Sequence, residues 1–334
     1  MLEAEAVLGE VRASDHAPAV SVIIPYYNTA QYIGETLDSL FAQTYTDYEV
    51  ILINDGSPDT EELERVLDPY RERVIYLEQE NRGSSSARNA GLRVARGRFV
   101  ALLDSDDLWD PEYLSVQVAA LEDDPTVDVI FPNAMLFGDS PLAGKTFMDV
   151  CPVEGEITFA NLITQQCYVW VGVTARREII IRAGMFDESL GSAEDLDLWL
   201  RILHQGGRIT FHRRVLGYYR QRRGSHTSKP IWLLTNWLKL LDKVERTMNL
   251  SPAEREATEQ KRAEMQALLR LCEGKKAFFV GDKKGAIDGL SEANLFLKSR
   301  KISLAVIALR LAPRLSMCAY NMRDKFLFRT DTKF

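Results

Sequence analysis

Through the first third of the chain, short apolar runs alternate with segments of helical periodicity, and nothing else limits the possible folds as much. The runs are Val20-Ser21-Val22-Ile23-Ile24, Tyr48-Glu49-Val50-Ile51-Leu52-Ile53, Val74-Ile75-Tyr76-Leu77 and Phe99-Val100-Ala101-Leu102-Leu103. Short, β-branched and apolar on both faces, they suit buried parallel strands. Residues 29–43 read as a helix through Ile33, Leu37, Leu40 and Phe41, and further helices are expected over about 60–72 and 85–96. Gly97 is the expected C-cap of the latter, and Asp110-Pro111 the expected start of another, with Asp as N-cap and Pro in the first position. This alternation predicts an α/β fold with a doubly wound, mostly parallel sheet, whose ligand sits beyond the carboxyl ends of the strands. Three polar clusters fall at those ends: Pro25-Tyr26-Tyr27-Asn28, Asn54-Asp55-Gly56-Ser57 and Asp104-Ser105-Asp106-Asp107.

The 334 residues suffice for one large α/β domain and a smaller appendage. A net charge of −7 argues against a general nucleic-acid binder. The charge is uneven, because residues 298–334 hold nine Lys/Arg and two Asp/Glu, a local +7 on an acidic body. Cys151, Cys167, Cys272 and Cys318 are scattered without metal-like spacing and read as reduced thiols of a cytoplasmic protein. The N-terminal stretch lacks the apolar core of a signal peptide, and no run has the length of a membrane span. Beyond about residue 228 the pattern turns helical. Ser251-Pro252-Ala253-Glu254 is a capping box opening a helix to about 272; residues 283–297 and 303–328 continue, the last broken at Pro313. The expected division is a flexible N-terminus over 1–18, the sheet domain over 19–228 and a helical C-terminal region over 229–334.

Several residues in the sheet domain carry possible chemistry. Asp104 and Asp106 directly follow an apolar run, and close carboxylates repel unless a cation sits with them. A hard divalent ion held by one or two carboxylates and phosphate oxygens resolves this, whereas a solvated turn before a helix is the plainer reading. Asp55 can accept from a base or ribose, or simply form a turn. Arg88, at the start of a helix, suits a diphosphate, or it is one surface arginine among Arg82, Arg93, Arg96 and Arg98. Glu194-Asp195 precede an apolar helical face of Leu196, Trp199, Leu200 and Leu203. There they complement the helix dipole, or one of them serves as a general base. His226 lies in a polar stretch with several arginines, where phosphate contact is favoured over metal.

In order along the chain, these segments resemble glycosyltransferase family 2, whose fold is GT-A. The landmarks are Val20 to Asn28, Ile53 to Ser57, Gly83 to Gly91, Leu103 to Asp107, Gly184-Met185-Phe186-Asp187-Glu188, Glu194-Asp195 and Tyr219-Arg220. The resemblance implies an inverting transferase that moves a sugar from a nucleotide diphosphate, UDP favoured, to a hydroxyl acceptor in cell-surface glycan or polysaccharide assembly. It implies that Pro25 and Tyr27 line the base pocket, Asp55 bonds the base, Arg88 faces the nucleotide, Asp104 meets the ribose and metal, and Asp106 holds Mn²⁺ or Mg²⁺. Asp195 matches the family's general base. The chain lacks the QxxRW motif and membrane helices of the processive members, so a non-processive enzyme is implied. Many members carry a His three residues after the Tyr of Tyr219-Arg220; here the position is Arg222, and His226 is the candidate replacement as metal ligand.

Two other functions compete. Asp104-Ser105-Asp106 also resembles the nucleophile motif of haloacid-dehalogenase phosphatases, although that motif belongs on a first strand. A nucleotide-binding pseudoenzyme scaffold is the non-enzymatic alternative, against which the joint presence of Asp106 and Asp195 speaks. A calcium loop is excluded by Trp109 where such loops require Gly. Family acceptors are often lipid-linked, and the basic, partly apolar 298–334 segment suits peripheral contact with the inner membrane face. The alternative is that Leu304–Ala312 packs against 283–297.

Overall fold

The computed structural model describes residues 17–222 and 230–311. Residues 1–16 of the expected flexible N-terminus, His226, Cys318 and the helix expected beyond Leu311 with its break at Pro313 lie outside the described residues. The chain separates into two compact units, Met1–Arg223 and Gly224–Phe334.

The first unit begins with the alternation read above: β1 (Val20–Tyr26), α1 (Ala30–Phe41), β2 (Tyr48–Asp55), α2 (Thr60–Leu67), a 3₁₀ segment (Asp68–Arg73), β3 (Val74–Gln79), α3 (Ser84–Val94) and β4 (Phe99–Leu102). Then come β5 (Leu108–Trp109), α4 (Tyr113–Asp123), β6 (Val129–Gly138), α5 (Phe147–Val150), α6 (Phe159–Ile163), β7 (Thr174–Arg176), α7 (Arg177–Arg182), α8 (Glu194–His204) and β8 (Ile209–Gln221). Val20, Val22 and Ile24 of β1 pack into a core with Ile33, Leu37, Leu40, Tyr113 and Leu114. Ile23, between them, faces α3. Helices on both faces explain why the strands are apolar throughout.

The sheet has eight strands in the order β3-β2-β1-β4-β7-β6-β8-β5. Its first four are parallel, as the alternation requires. The remainder is mixed: β7 runs antiparallel to β4 and β6, β6 and β8 are parallel, and β5 is antiparallel to β8. Regular strand–helix alternation lapses after β4, and the parallel rule lapses with it.

Three local expectations are corrected. First, α3 ends at Val94, where Ala95 N–H bonds Gly91 O, and Gly97 is not left-handed. Gly97 serves close approach instead, since a Cβ would come 2.5 Å from Ser21 N and 2.7 Å from the Val20 carbonyl carbon. Second, Asp110 caps a turn rather than a helix: Oδ1 accepts from Glu112 N–H, and α4 starts at Tyr113. Third, α8 buries Asp197, Leu198, Trp199, Leu200 and Ile202, while Leu196 and Leu203 are only half-buried.

The second unit consists, among the described residues, of α9 (Pro230–Thr247), α10 (Pro252–Phe279), α11 (Lys283–Leu297) and α12 (Arg300–Leu311). The Ser251 capping box forms, and α10 runs past residue 272. The hairpin of α10 and α11 is tight because Gly274 and Gly289 meet, a Cβ on Gly289 falling 2.8 Å from Gly274 Cα. Val306 and Leu309 of α12 pack on Leu271, Ala286, Leu290 and Ala293, while Leu304, Ile307 and Leu311 are exposed. No described helix is long and apolar enough to cross a membrane.

Gly91 fixes the seat of α3, because a Cβ there would lie 2.7 Å from Ile23 Cγ2 and 2.9 Å from Ile53 Cδ1. Gly91→Ala is therefore expected to destabilise the protein by about 1–3 kcal/mol, the usual cost of overpacking. Gly34→Ala meets only Val66 Cγ1 at 3.5 Å and should stabilise it. Replacing an interior helical Gly by Ala is worth roughly 0.5–1 kcal/mol. Denaturant midpoints of the two variants test the contrast; equal shifts would refute it.

Candidate active site

The parallel register brings the three polar clusters to one edge. Pro25 pairs with Ile53 and Tyr26 with Asn54, and Leu103 N–H donates to Ile23 O at 3.1 Å. Beyond this edge Pro25 is half-buried and Tyr27 is 47% exposed. Asn28 N–H donates to Ser57 Oγ (2.7 Å), Ser57 donates to Asp59, and Asp59 accepts from Ala30 N–H (2.9 Å). The β1–α1 and β2–α2 turns are thus one hydrogen-bonded piece.

Asp55 is buried, and its carboxylate ties down the turn before α3. Oδ1 accepts from Gln79 Nε2 (2.7 Å) and Arg82 N–H (2.9 Å), and Oδ2 from Gly83 N–H (2.8 Å). Gly56 permits this approach: its φ is +59°, and a Cβ would stand 2.6 Å from Asn81 N.

Arg88 is the hub of the site. It is buried on α3; Nη2 bonds Asp104 Oδ1 at 2.8 Å, Nη1 bonds Glu194 Oε1 at 2.9 Å, and Cζ lies 5.4 Å from the Phe186 ring centre. Burial opposes its charge, but Asp104, Glu194 and Asp195 outweigh burial and raise its pKa. The next residue, Asn89, clamps the Gly184-to-Glu188 turn: Nδ2 donates to Phe186 O (2.9 Å) and Glu188 Oε1 (3.0 Å), and Oδ1 accepts from Phe186 N–H (3.0 Å).

Asp106 and Asp107 sit against the end of β8, because β5, just after them, pairs with Gly217 and Tyr218. Arg220 N–H donates to Asp107 Oδ1 (2.8 Å), Arg220 Nε to Asp106 O (2.7 Å) and Arg220 Nη2 to Glu35 Oε2 (2.6 Å). Its guanidinium lies between the Tyr32 and Phe137 rings, 4.5 and 4.4 Å from their centres. Arg222 Nε pairs with Asp106 Oδ2 at 2.6 Å. Burial, with Asp104 nearby, pushes the Asp106 carboxyl up to about 6; burial, with Asp106 and Asp104, raises Asp107 well above the usual range.

Glu194 and Asp195 open α8 behind Ala193, whose φ of +61° is rare for a side-chain-bearing residue. The two acids have different surroundings. Glu194 Oε1 accepts from Arg88 and from Ser84 Oγ (3.0 Å), so it is committed to structure. Asp195 Oδ1 accepts only its neighbour Leu196 N–H (2.7 Å), and no ion pair engages it among the described residues. Burial, with Glu194 alongside, pushes Asp195 up to about 7, despite the Leu196 bond and Arg88. Two residues on, buried Asp197 pairs with Arg201, which also donates to Ala183 O and Met185 O and so holds α8 to the clamped turn.

Among the described residues, Asp104, Asp106, Asp107, Glu194 and Asp195 thus share a site with three guanidinium groups, those of Arg88, Arg220 and Arg222. This acid surplus suits a divalent cation. Among the described residues no group of three or more His, Cys, Asp or Glu side chains is arranged to hold a metal. Asp104 and Asp106 are the carboxylates that could hold such a cation, with its remaining positions filled by oxygens of a ligand, an arrangement hard cations accept. His226, the expected further ligand, lies outside the described residues.

Residues 21–165 match glycosyl transferase family 2. An uncharacterised glycosyltransferase of Rickettsia prowazekii is 33% identical over 207 residues, covering 60% of this chain and 63% of that protein. The uncharacterised glycosyltransferase EpsJ of Bacillus subtilis is 30% identical over 224 residues, 64% of each. The chain spans less than two thirds of these relatives' own length, and only 31% of a Rickettsia bellii relative. Together these are likenesses to glycosyltransferases, and they do not favour the phosphatase reading. The fold is that of solved GT-A enzymes. Residues 1–349 of S. aureus TarS in complex with UDP-GlcNAc superpose with a TM-score of 0.60 at 20% identity, covering 91% of each chain. The mannosyltransferase PcManGT of Pyrobaculum calidifontis, in complex with GDP-Man and Mn²⁺, gives 0.58 at 21% identity, covering 97% of this chain and 91% of that one.

Asp55→Asn puts an amide NH₂ where a second acceptor oxygen is needed. It is expected to lower stability by about 1–3 kcal/mol, the penalty for a buried donor left unpaired. Exchange of the Arg82 or Gly83 amide should quicken roughly tenfold or more, as 1.4 kcal/mol per factor of ten implies. Unchanged exchange at both amides would show that Asp55 does not hold this turn.

Proposed function

We propose that the protein is an inverting, non-processive glycosyltransferase that moves a sugar from a nucleotide diphosphate to a hydroxyl acceptor. One observation carries the reading: Asp195, whose carboxylate accepts only from Leu196 N–H among the described residues, opens α8 beside the Arg88–Asp104–Glu194 network at the carboxyl edge of the sheet. Burial, with Glu194 alongside, raises it to about 7. A base with a pKa near neutrality is matched to its task. In the proposed reaction Asp195 takes the acceptor hydroxyl proton while that oxygen bonds the anomeric carbon and the carbon–phosphate-oxygen bond breaks. A single displacement inverts the anomeric centre.

Pro25 and Tyr27 are proposed to line the base pocket. Asp55 positions the Arg82–Gly83 turn and offers its remaining lone pair to the base. Arg88 holds Asp104 towards the ribose and carries positive charge on the nucleotide side. Mn²⁺ or Mg²⁺ on Asp106 and Asp104 would neutralise charge on the departing diphosphate, a Lewis-acid role. UDP is the favoured nucleotide by family habit, with GDP and dTDP as the alternatives; TarS and PcManGT bind UDP-GlcNAc and GDP-Man respectively. Thermal protection by a panel of nucleotide sugars identifies the donor. Absence of protection by every nucleotide would sink the reading.

Asp195→Asn should keep donor affinity and lose transfer by roughly 10²–10⁴-fold, the range for a lost general base. In the wild type, transfer should fall as pH drops through about 7, because the base is then protonated. The stability effect has the opposite sign. A carboxyl with a raised folded-state pKa leaves the folded state binding more protons between the unfolded value near 3.8 and about 7. Stability is therefore lost as pH rises through that window. The Asn variant, spared this loss, should melt above wild type at pH 8 and approach it near pH 4. Transfer near wild-type rates, or an Asn variant less stable at pH 8, would place the base elsewhere.

The acceptor is proposed to be a glycan or lipid-linked molecule at the inner membrane face, with peripheral contact through 298–334. Exposed Lys298, Arg300, Lys301 and Arg310 beside exposed Leu304, Ile307 and Leu311 support this. Basic residues near an anionic surface contribute on the order of 1 kcal/mol each. The full chain should co-sediment with anionic liposomes at low salt, and a Leu304→Ser, Ile307→Ser, Leu311→Ser variant should not. Equal sedimentation of the two, or none by wild type, rules the contact out.

A further inference from the structure

We propose that Arg222 is a diphosphate-binding residue: it holds the Asp106 carboxylate until the donor arrives, then moves to the donor's phosphates and releases Asp106 to a divalent cation. The inference rests on reading the site as a nucleotide-diphosphate pocket.

The three arginines of the site are bound very differently. Arg88 is buried between two carboxylates. Arg220 is fixed by two rings, a backbone carbonyl and Glu35, and its side chain is 11% exposed. Arg222 has one ion pair, to Asp106, and a distant ring, Tyr32 at 5.6 Å; its side chain is 35% exposed. Of the three, only Arg222 can change partners without dismantling packing.

The chemistry says which partner it would take. A guanidinium has no lone pair and cannot ligate a metal, so a residue at this position acts on an anion. Its planar fork fits phosphate as well as carboxylate. A divalent ion on the Asp106 carboxylate would stand beside the Arg222 guanidinium, now held at Oδ2 through Nε, and two cations that close repel. A diphosphate removes the conflict by giving both cations oxygens to share. Nucleotide and divalent ion then favour each other's binding, and by linkage the coupling is reciprocal.

Calorimetric titration of the full chain separates the parts, with Mn²⁺ alone, with UDP in chelator and with UDP plus Mn²⁺. Wild type should bind Mn²⁺ at least roughly tenfold more tightly with UDP present than without, a modest coupling for two linked ligands. Arg222→Gln should bind Mn²⁺ alone roughly tenfold more tightly than wild type, because Asp106 is freed. Its affinity for UDP with Mn²⁺ should fall roughly ten- to hundredfold, the worth of one charge-assisted contact. Arg222→Lys, with charge but no fork, should lie between. Unchanged Mn²⁺ affinity in the Gln variant overturns the hold on Asp106, and unchanged UDP–Mn²⁺ affinity overturns the phosphate role. If wild type binds none of UDP, GDP or dTDP, the nucleotide reading falls and takes this one with it. Nucleotide binding that the Gln variant leaves untouched overturns the role of Arg222 alone.

Discussion

The arrangement at the edge of the sheet depends on one buried cation. Through Asp104 and Glu194, Arg88 joins α3 and the end of β4, the next element, to the start of α8, which is distant in sequence. A guanidinium so deeply placed is tolerable only with both partners present. Removing one partner of a buried pair typically costs about 3–5 kcal/mol, since the other charge is then left alone. The glycine at position 91 lets α3 lie close enough to the sheet for this contact, and Asn89 keeps the turn before α8 at the right height. The network therefore positions Asp104 and the Glu194-Asp195 pair as one body.

The same network gives two adjacent acids different tasks. Glu194 spends its carboxylate on Arg88 and Ser84, while Asp195 is left in a desolvated place with a negative neighbour. Burial, with a like charge alongside, pushes protons back onto carboxyl groups, and this is what raises Asp195 towards neutrality. Asp106 and Asp107 are raised for the same reason, burial among acids. A surplus of acid over base is the common thread, and it is a property of the assembled site rather than of any one residue.

Much of this was legible in the chain itself. The strand–helix alternation, the parallel run of β1 to β4, the Asp-Ser-Asp turn and the Ser251 cap follow from local patterns, and local patterns are what a sequence displays. What the sequence did not display depended on distant partners. Gly97 has the position of a helix cap, yet its lack of a side chain serves the backbone of β1 instead. Asp55 has the look of a ligand residue, and its carboxylate is largely occupied by the next turn. Asn89 lies within one landmark of the resemblance, but its clamp on the Gly184-to-Glu188 turn was not displayed, because its partners lie nearly a hundred positions later. The departure at Arg222 was visible against the family pattern, but its ion pair with Asp106 required two ends of the domain to be brought together.

The pairing of β5 with β8 bears on how the protein is made. The Asp-Ser-Asp turn emerges from the ribosome early, but the strand that braces it, with Arg220 and Arg222, comes more than a hundred residues later. At typical synthesis rates of about 5–20 residues per second, the nascent chain carries its acidic cluster unbraced for several seconds. A fragment that ends between α4 and β8 has the β1–β4 half of the sheet and the Arg88–Asp104 pair in its sequence, but neither the second bank of arginines nor the brace. Assembly of the acidic centre is thus a late event, timed by the arrival of a single edge of the sheet.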